Sequence, residues 1–225
     1  MPDEVTSIGR IVWFPPLPDV PEPMCGRAFA MVEAACMSDA GTGAELTEPR
    51  RRLGPEIDTF ATIRAPALGQ FHMDPEQPMP NDGDGTLLTD FPAAAIDALV
   101  AMAGPDADTP LTSIEIRHLG GALARPATGE AAQPTIEASY LTFAVGATPI
   151  PEVAAAVRRA AEAAKDVLAP WHASYDYYNE VGASVPANAV LPAASYRRLQ
   201  GIKATYDLDQ VIISNHPVRP ADVAA

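Results

Sequence analysis

Apolar and polar positions alternate most cleanly over 111–119, LTSIEIRHL. Ile114, Ile116 and His118 fall on one face, and Ser113, Glu115 and Arg117 on the other. That two-residue period predicts a half-buried strand. Runs rich in β-branched and apolar residues predict further strands at 5–14 (VTSIGRIVWF), 27–36 (RAFAMVEAAC), 56–63 (EIDTFATI), 86–91 (TLLTDF) and 136–146 (IEASYLTFAVG). The first is bounded by PPLPDVPEP, which cannot continue a ladder and predicts an extended, polyproline-like crossing.

The period lengthens over 150–171, where Val153, Val157, Ala160, Ala164 and Val167 make one stripe of a long helix. Residues 92–104 predict a second helix, opened by Pro92 and closed by Gly104. A last helix falls at about 193–205, while 41–54 starts a short one that Pro49 limits. Residues 66–73 give one or two helical turns, and 74–85, DPEQPMPNDGDG, reads as a loop set by prolines and Asx–Gly steps. Strands and helices mix without a strand–helix–strand rhythm, and two strands follow each other between 111 and 146. The expected fold class is α+β, an antiparallel sheet with helices packed mainly on one face, in a single domain over 1–225.

Composition narrows the partners. Hydrophobic residues make up 48% of the chain and charged ones 20%, which supports a packed core rather than disorder. A net charge of -14 repels phosphate backbones and anionic bilayers, so neither nucleic acid nor a membrane is an expected partner. No apolar run nears the roughly 20 residues of a membrane helix, and MPDEVTSIGR lacks the apolar core of a signal peptide. Cys25 and Cys36 form no disulfide framework and read as buried thiols of a cytoplasmic protein.

Short motifs name no activity. The GTG at 41–43 lacks the third glycine of a dinucleotide fingerprint. NDGDG (81–85) resembles a fragment of a calcium loop without its closing Glu, and reads as a tight turn. His72, His118, His172 and His216 have no metal-ligand spacing, so no metal site is expected. Glu115 and Arg117 share a strand face: they form an ion pair, or they line a ligand site. In DYYNE (176–180), two tyrosines and an asparagine adjoin a carboxylate; the tyrosines pack beneath the last helix or line a site.

Taken together, several segments resemble the C-terminal half of the berberine-bridge-enzyme-like, FAD-linked oxidoreductases. SIEIRHLGGALARP (113–126) resembles that family's strand leading into a Gly-Gly turn. APW (169–171) is similar to the segment before its Tyr-x-Asn-aromatic motif, and YYNE (177–180) sits at that motif's place. SYRRLQGIKATYDLDQVIISNHPV (195–218) resembles the closing Tyr-x-x-Leu-x-x-Lys helix, Asp-Pro-Asp step and terminal Asn. GRIVWFPPLPDVPEP, LGPEIDTF and FHMDPE look like the central region of bacterial members.

The resemblance implies a substrate-side domain that covers an organic substrate, with a C-terminal element over about 170–218. Tyr177 and Asn179 become flavin-side candidates, with Asn215 a third; His72, Glu115 and Arg117 become substrate-lining ones. Three positions depart from the family. Glu180 stands where the family has an aromatic, a catalytic tyrosine in several members, and a carboxylate raised by burial would serve as base. Asp207-Leu208-Asp209 replaces Asp-Pro-Asp, and Ile212 replaces a phenylalanine.

No glycine-rich pyrophosphate loop and no flavin-linking His or Cys is found in the sequence. The resemblance therefore implies that the N-terminal FAD-binding half is absent. FAD would be used only with a complementing FAD-binding partner chain. An uncovered sheet edge or strip of core would then meet that partner or a second copy, as a homodimer. The alternatives are a truncated, non-enzymatic domain and a binding module that takes a small ligand without cofactor.

Overall fold

The computed structural model describes residues 2–18, 20–73, 77–104, 107–126 and 131–221. Five strands, β1 (Val5–Trp13), β2 (Ala28–Cys36), β3 (Asn81–Leu88), β4 (Ser113–His118) and β5 (Tyr140–Ala147), form one sheet in the order β2-β1-β4-β5-β3. Every neighbouring pair is antiparallel. The helices are α1 (Ala40–Arg51), α2 (Ala93–Ala103), α3 (Pro151–Val167) and α4 (Ala193–Tyr206). This is the expected α+β class.

The alternation read from 111–119 sets the two faces. Ile11, Ile114 and Ala144 lie in register across β1, β4 and β5 and belong to the main core cluster. Val157, Ala161 and Ala164 of α3 pack on it, with Ala95, Leu99 and Ala103 of α2 alongside. Alanines on α3 let its axis approach the sheet closely, and Leu87, Leu88 and Val157 are fully buried. On the opposite face a smaller cluster gathers Leu87, Leu141 and Tyr175, with Tyr177 packed against it. No helix among the described residues is long and apolar enough to cross a membrane.

Several expectations change. NDGDG is not a turn: it is the first half of β3, a full partner of β5 from Asn81 to Leu88. Asp74, Pro75 and Glu76 of the predicted loop lie outside the described residues. Residues 56–63 make no strand and lie along the surface. Pro49 does not stop α1, which ends two residues later at Arg51, because a proline in the last turn removes only one helical N–H. Cys25 and Cys36 are free but only half-buried. The Gly-Gly turn after β4 is real: Gly120 and Gly121 take φ of 113° and 52°, where a side chain would be strained.

Candidate active site

One residue out of step with the core-facing positions, a charged network lies on the sheet face turned away from α2 and α3. Arg10 of β1 stands directly across from Glu115 of β4, and both Glu33 of β2 and Arg117 of β4 stand across from Ile8. All four project from this face. Glu33 and Glu115 are buried, at 7% and 5% exposure. Isolated carboxylates cannot persist at that depth, so each must be paired. Arg10 donates through one terminal nitrogen to Glu33 Oε1 at 2.7 Å, and Arg117 donates through Nε and its other guanidinium nitrogen to Glu115 Oε2 at 2.9 and 2.8 Å. His72, from the chain preceding β3, puts Nδ1 2.7 Å from Glu33 Oε2 and Nε2 3.1 Å from Glu115 Oε1.

Glu180 completes the network, its Oε1 accepting from Arg117 at 3.4 Å. It arrives on a segment that runs along the free edge of β3. The Ala173 N–H donates to the Leu87 carbonyl at 2.8 Å, and Leu88 and His172 form a lone β-bridge. Asp176 pins the segment further, accepting from Thr86 Oγ1 at 2.6 Å and pairing with Lys165 of α3 at 2.7 Å.

The glycines of NDGDG explain how Glu180 gets so close. A Cβ on Gly85 would meet the Glu180 Cβ at 2.9 Å and its carbonyl at 3.0 Å, and one on Gly182 would fall 1.9 Å from the Gly83 carbonyl. A Gly182→Ala variant must therefore push residues 180–182 off β3. The expected cost is about 1–3 kcal/mol, the usual range for overpacking, read as a lowered Tm with α3 helicity retained.

Burial pushes the Glu180 carboxyl above the usual carboxylate range; the Arg117 charge opposes this and the Glu115 charge adds to it. Burial alone would raise Glu115 too, but the hydrogen bonds and charge of Arg117, joined by those of His72, outweigh it and hold Glu115 low. Two carboxylates bridged by one guanidinium are thus driven apart in acidity, the arrangement that separates a proton acceptor from a fixed counter-charge. Among the described residues no His, Cys, Asp and Glu group is arranged to hold a metal.

Beside the network, a cleft of about 400 Å³ is lined by Gln133, Tyr177, Tyr178, Asn179, Ser214 and His216, with apolar walls from α4 and its approach. Tyr177 packs on the smaller core cluster rather than beneath the last helix, and it also faces the cleft. Tyr178 meets His216 edge to face at 4.7 Å. Gln133 Nε2 is buried without a hydrogen-bond acceptor among the described residues.

The predicted site residues divide. His72, Glu115, Arg117 and Glu180 converge in the network. Tyr177 and Asn179 line the cleft, and Asn215 does not: it is exposed, and its carbonyl accepts from Ser184 Oγ at 2.6 Å. The buried residue at that end is its neighbour His216. The Asp-Leu-Asp step keeps its turn without proline, because the buried Asp207 carboxylate accepts from the backbone N–H of Val211 at 2.7 Å and Ile212 at 3.2 Å and pairs with Lys203. Arg10, Glu33, Gly85, Gly182 and Gln133 escape sequence reading. For Arg10 and Glu33 a signal exists: each is a lone charge inside an apolar strand, which burial obliges to find a partner.

No family profile and no curated protein sequence matches this chain. Solved structures do. Berberine bridge enzyme from Eschscholzia californica superposes with a TM-score of 0.72 at 9% identity, over 99% of this chain and 50% of that one. BBE-like 1 from Physcomitrella patens gives 0.70 at 12%, over 98% and 48%. Aclacinomycin oxidoreductase gives 0.69 at 15%, over 97% and 47%. At such identities the likeness is one of fold, and this chain spans about half the length of the chains it matches. It carries the fold of about half of a berberine-bridge-enzyme-like protein.

Proposed function

We propose that this chain is the substrate-side part of a FAD-dependent oxidoreductase, which oxidises a small organic substrate by hydride transfer and acts with a separate FAD-binding chain. The observation that carries this reading is Glu180. It is a partly buried carboxyl of raised pKa, held beside Arg117 on the sheet face turned away from α2 and α3, in a fold shared with berberine bridge enzyme.

The residues suit one side of a flavin ring. Tyr177 and Asn179 would hold it, and the buried Gln133 Nε2 offers a donor to a ring acceptor. No residue here is assigned to the pyrophosphate or adenine. The flavin, when bound, supplies the hydride acceptor. This chain's share is the proton: Glu180 takes it from the substrate, and Arg117, anchored on Glu115, holds the Glu180 carboxylate in place until then. Glu115 keeps its charge throughout and balances Arg117.

A complementing chain also accounts for the C-terminal surface. Tyr206, Leu208, Val211, Ile212 and Ile213 are between 55% and 91% exposed, an apolar strip of the kind that marks an interface. A tagged pull-down from the native host, read by visible absorption and mass spectrometry, tests the proposal. A yellow eluate with a second, flavin-binding polypeptide is expected. A colourless eluate holding this chain alone overturns it.

A further inference from the structure

NDGDG uses its two kinds of residue on opposite sides of β3. Asp82 and Asp84 stand across from Gly146 and Ala144 of β5 on the helix side, and Gly83 and Gly85 turn toward Phe143 and Glu180. Both aspartates meet cations of α3 that lie about two turns apart. Arg158 Nε donates to Asp82 Oδ2 at 3.1 Å, and Lys165 Nζ lies 3.7 Å from Asp84 Oδ2. Lys165 alone reaches further. Its ammonium also donates to Asp176 Oδ2 at 2.7 Å and to the Gly85 carbonyl at 3.4 Å.

Asp176 opens the loop 176–182, which carries Tyr177, Asn179 and Glu180. Gly182 closes it, and its N–H donates to Asp84 Oδ1 at 3.3 Å. Both ends of the loop therefore lead, through Asp176 and Asp84, to one ammonium. Between them the chain rounds the edge of β3, from Thr86 on the helix side to Arg117 on the other face. From Tyr178 to Ser184 only Glu180 and Val181 escape full exposure. So little buried apolar area leaves the polar ties to hold this stretch. We propose that Lys165, across the sheet from the charged network, is a positioning residue: by joining Asp84 to Asp176 it latches the loop 176–182 round the edge of β3 and so sets Glu180 against Arg117.

The charges fit this role. Without Lys165, the carboxylates of Asp84 and Asp176 would repel each other across the strand edge. Only Thr86 Oγ1 and the N–H groups of Gly85 and Gly182 would still donate to them. The consequence for Glu180 as a base rests on the oxidoreductase reading. The latch does not, and it can be measured on this chain without flavin.

Lys165→Met keeps the apolar stem and removes the charge. Arg158→Met is the control, because it cuts an ion pair between the same helix and strand without touching the loop. Amide hydrogen exchange of the full chain should show Gly182 protection falling about tenfold in Lys165→Met, the loss of about one bond to a charged group. Gly182 in Arg158→Met, and β4 and β5 in both variants, should keep theirs. In Lys165→Met the Glu180 carboxyl, followed by NMR, should titrate lower, nearer the ordinary carboxylate range. Removing a cation would by itself raise it, so a fall reports the loop moving into solvent. Unchanged Gly182 protection in Lys165→Met, or an equal loss in Arg158→Met, overturns the latch. Asp176→Asn cuts the same tie from the loop and decides the matter should Lys165→Met not fold.

In the proposed flavin-loaded complex, Lys165→Met slows flavin reduction by up to about 10²-fold, the scale of a displacement of about 1 Å. Added to Glu180→Gln it costs nothing more, since it acts through that carboxyl. Additive losses overturn the positioning role. A broken latch beside a wild-type rate in Glu180→Gln overturns the oxidoreductase reading and leaves the latch standing.

Discussion

In the flavin-loaded complex proposed above, Glu180→Gln slows reduction of the flavin by substrate by about 10²–10⁴-fold, the usual contribution of a positioned general base. The substitution keeps size and shape, so it isolates the proton. Its effect on stability has the opposite sign. Glu180 has a folded pKa raised above its unfolded one, so its stabilising contribution is present at acid pH and is lost as pH rises through the folded value. Burial disfavours the ionised carboxylate, and the neutral amide of the variant escapes that penalty. Thermal unfolding at neutral pH should therefore show a variant at least as stable as the wild type. A slow but well-folded enzyme supports the base. A variant that reduces flavin at the wild-type rate contradicts it.

Glu115→Ala lowers stability by about 3–5 kcal/mol, the cost of breaking one partner out of a buried ion pair. For a chain of this size that is a Tm drop of roughly 10 °C. The effect is large because Glu115 is buried between Arg10 and Arg117, and its loss leaves those two guanidinium groups with only Glu33 and Glu180 to balance them. The pH dependence follows from the depressed folded pKa. Glu115 stabilises above the ordinary carboxylate range, and that contribution disappears as pH falls through its lowered folded value. Chemical denaturation at neutral and acid pH checks both parts. The wild type should lose the advantage over Glu115→Ala in acid, and an equal gap at both pH values would contradict the account.

How far the sequence reaches depends on the kind of interaction. The strict alternation of 111–119 foretold which residues of β4 face the helices, and the 3.6-residue stripe foretold α3, because burial on one side imposes those periods. The strand hidden in NDGDG carries the opposite pattern. Its glycines look like turn residues, yet Gly83 and Gly85 are small because the Glu180 segment and β5 crowd the backbone there. That is a tertiary cause with no local signature. Glu115, Arg117 and Glu180 could be named from type and resemblance, but Arg117 and Glu180 are 63 positions apart and meet only because the chain folds back. Glu33 and Arg10 carried a signal in their isolation among apolar neighbours. Asn215 is exposed beside the buried His216, a placement the sequence does not announce because an exposed turn fixes no period.

The central claim is that the face bearing Glu180, Tyr177 and Asn179 lies against a flavin. The most direct measurement adds the purified chain to the proposed FAD-binding chain and records the flavin's visible absorption. The account predicts a saturable shift ending at one-to-one. It also predicts a smaller shift with Asn179→Ala, whose exposed side chain can be lost without touching the core. A flavin spectrum that stays unchanged while the two chains bind would contradict it.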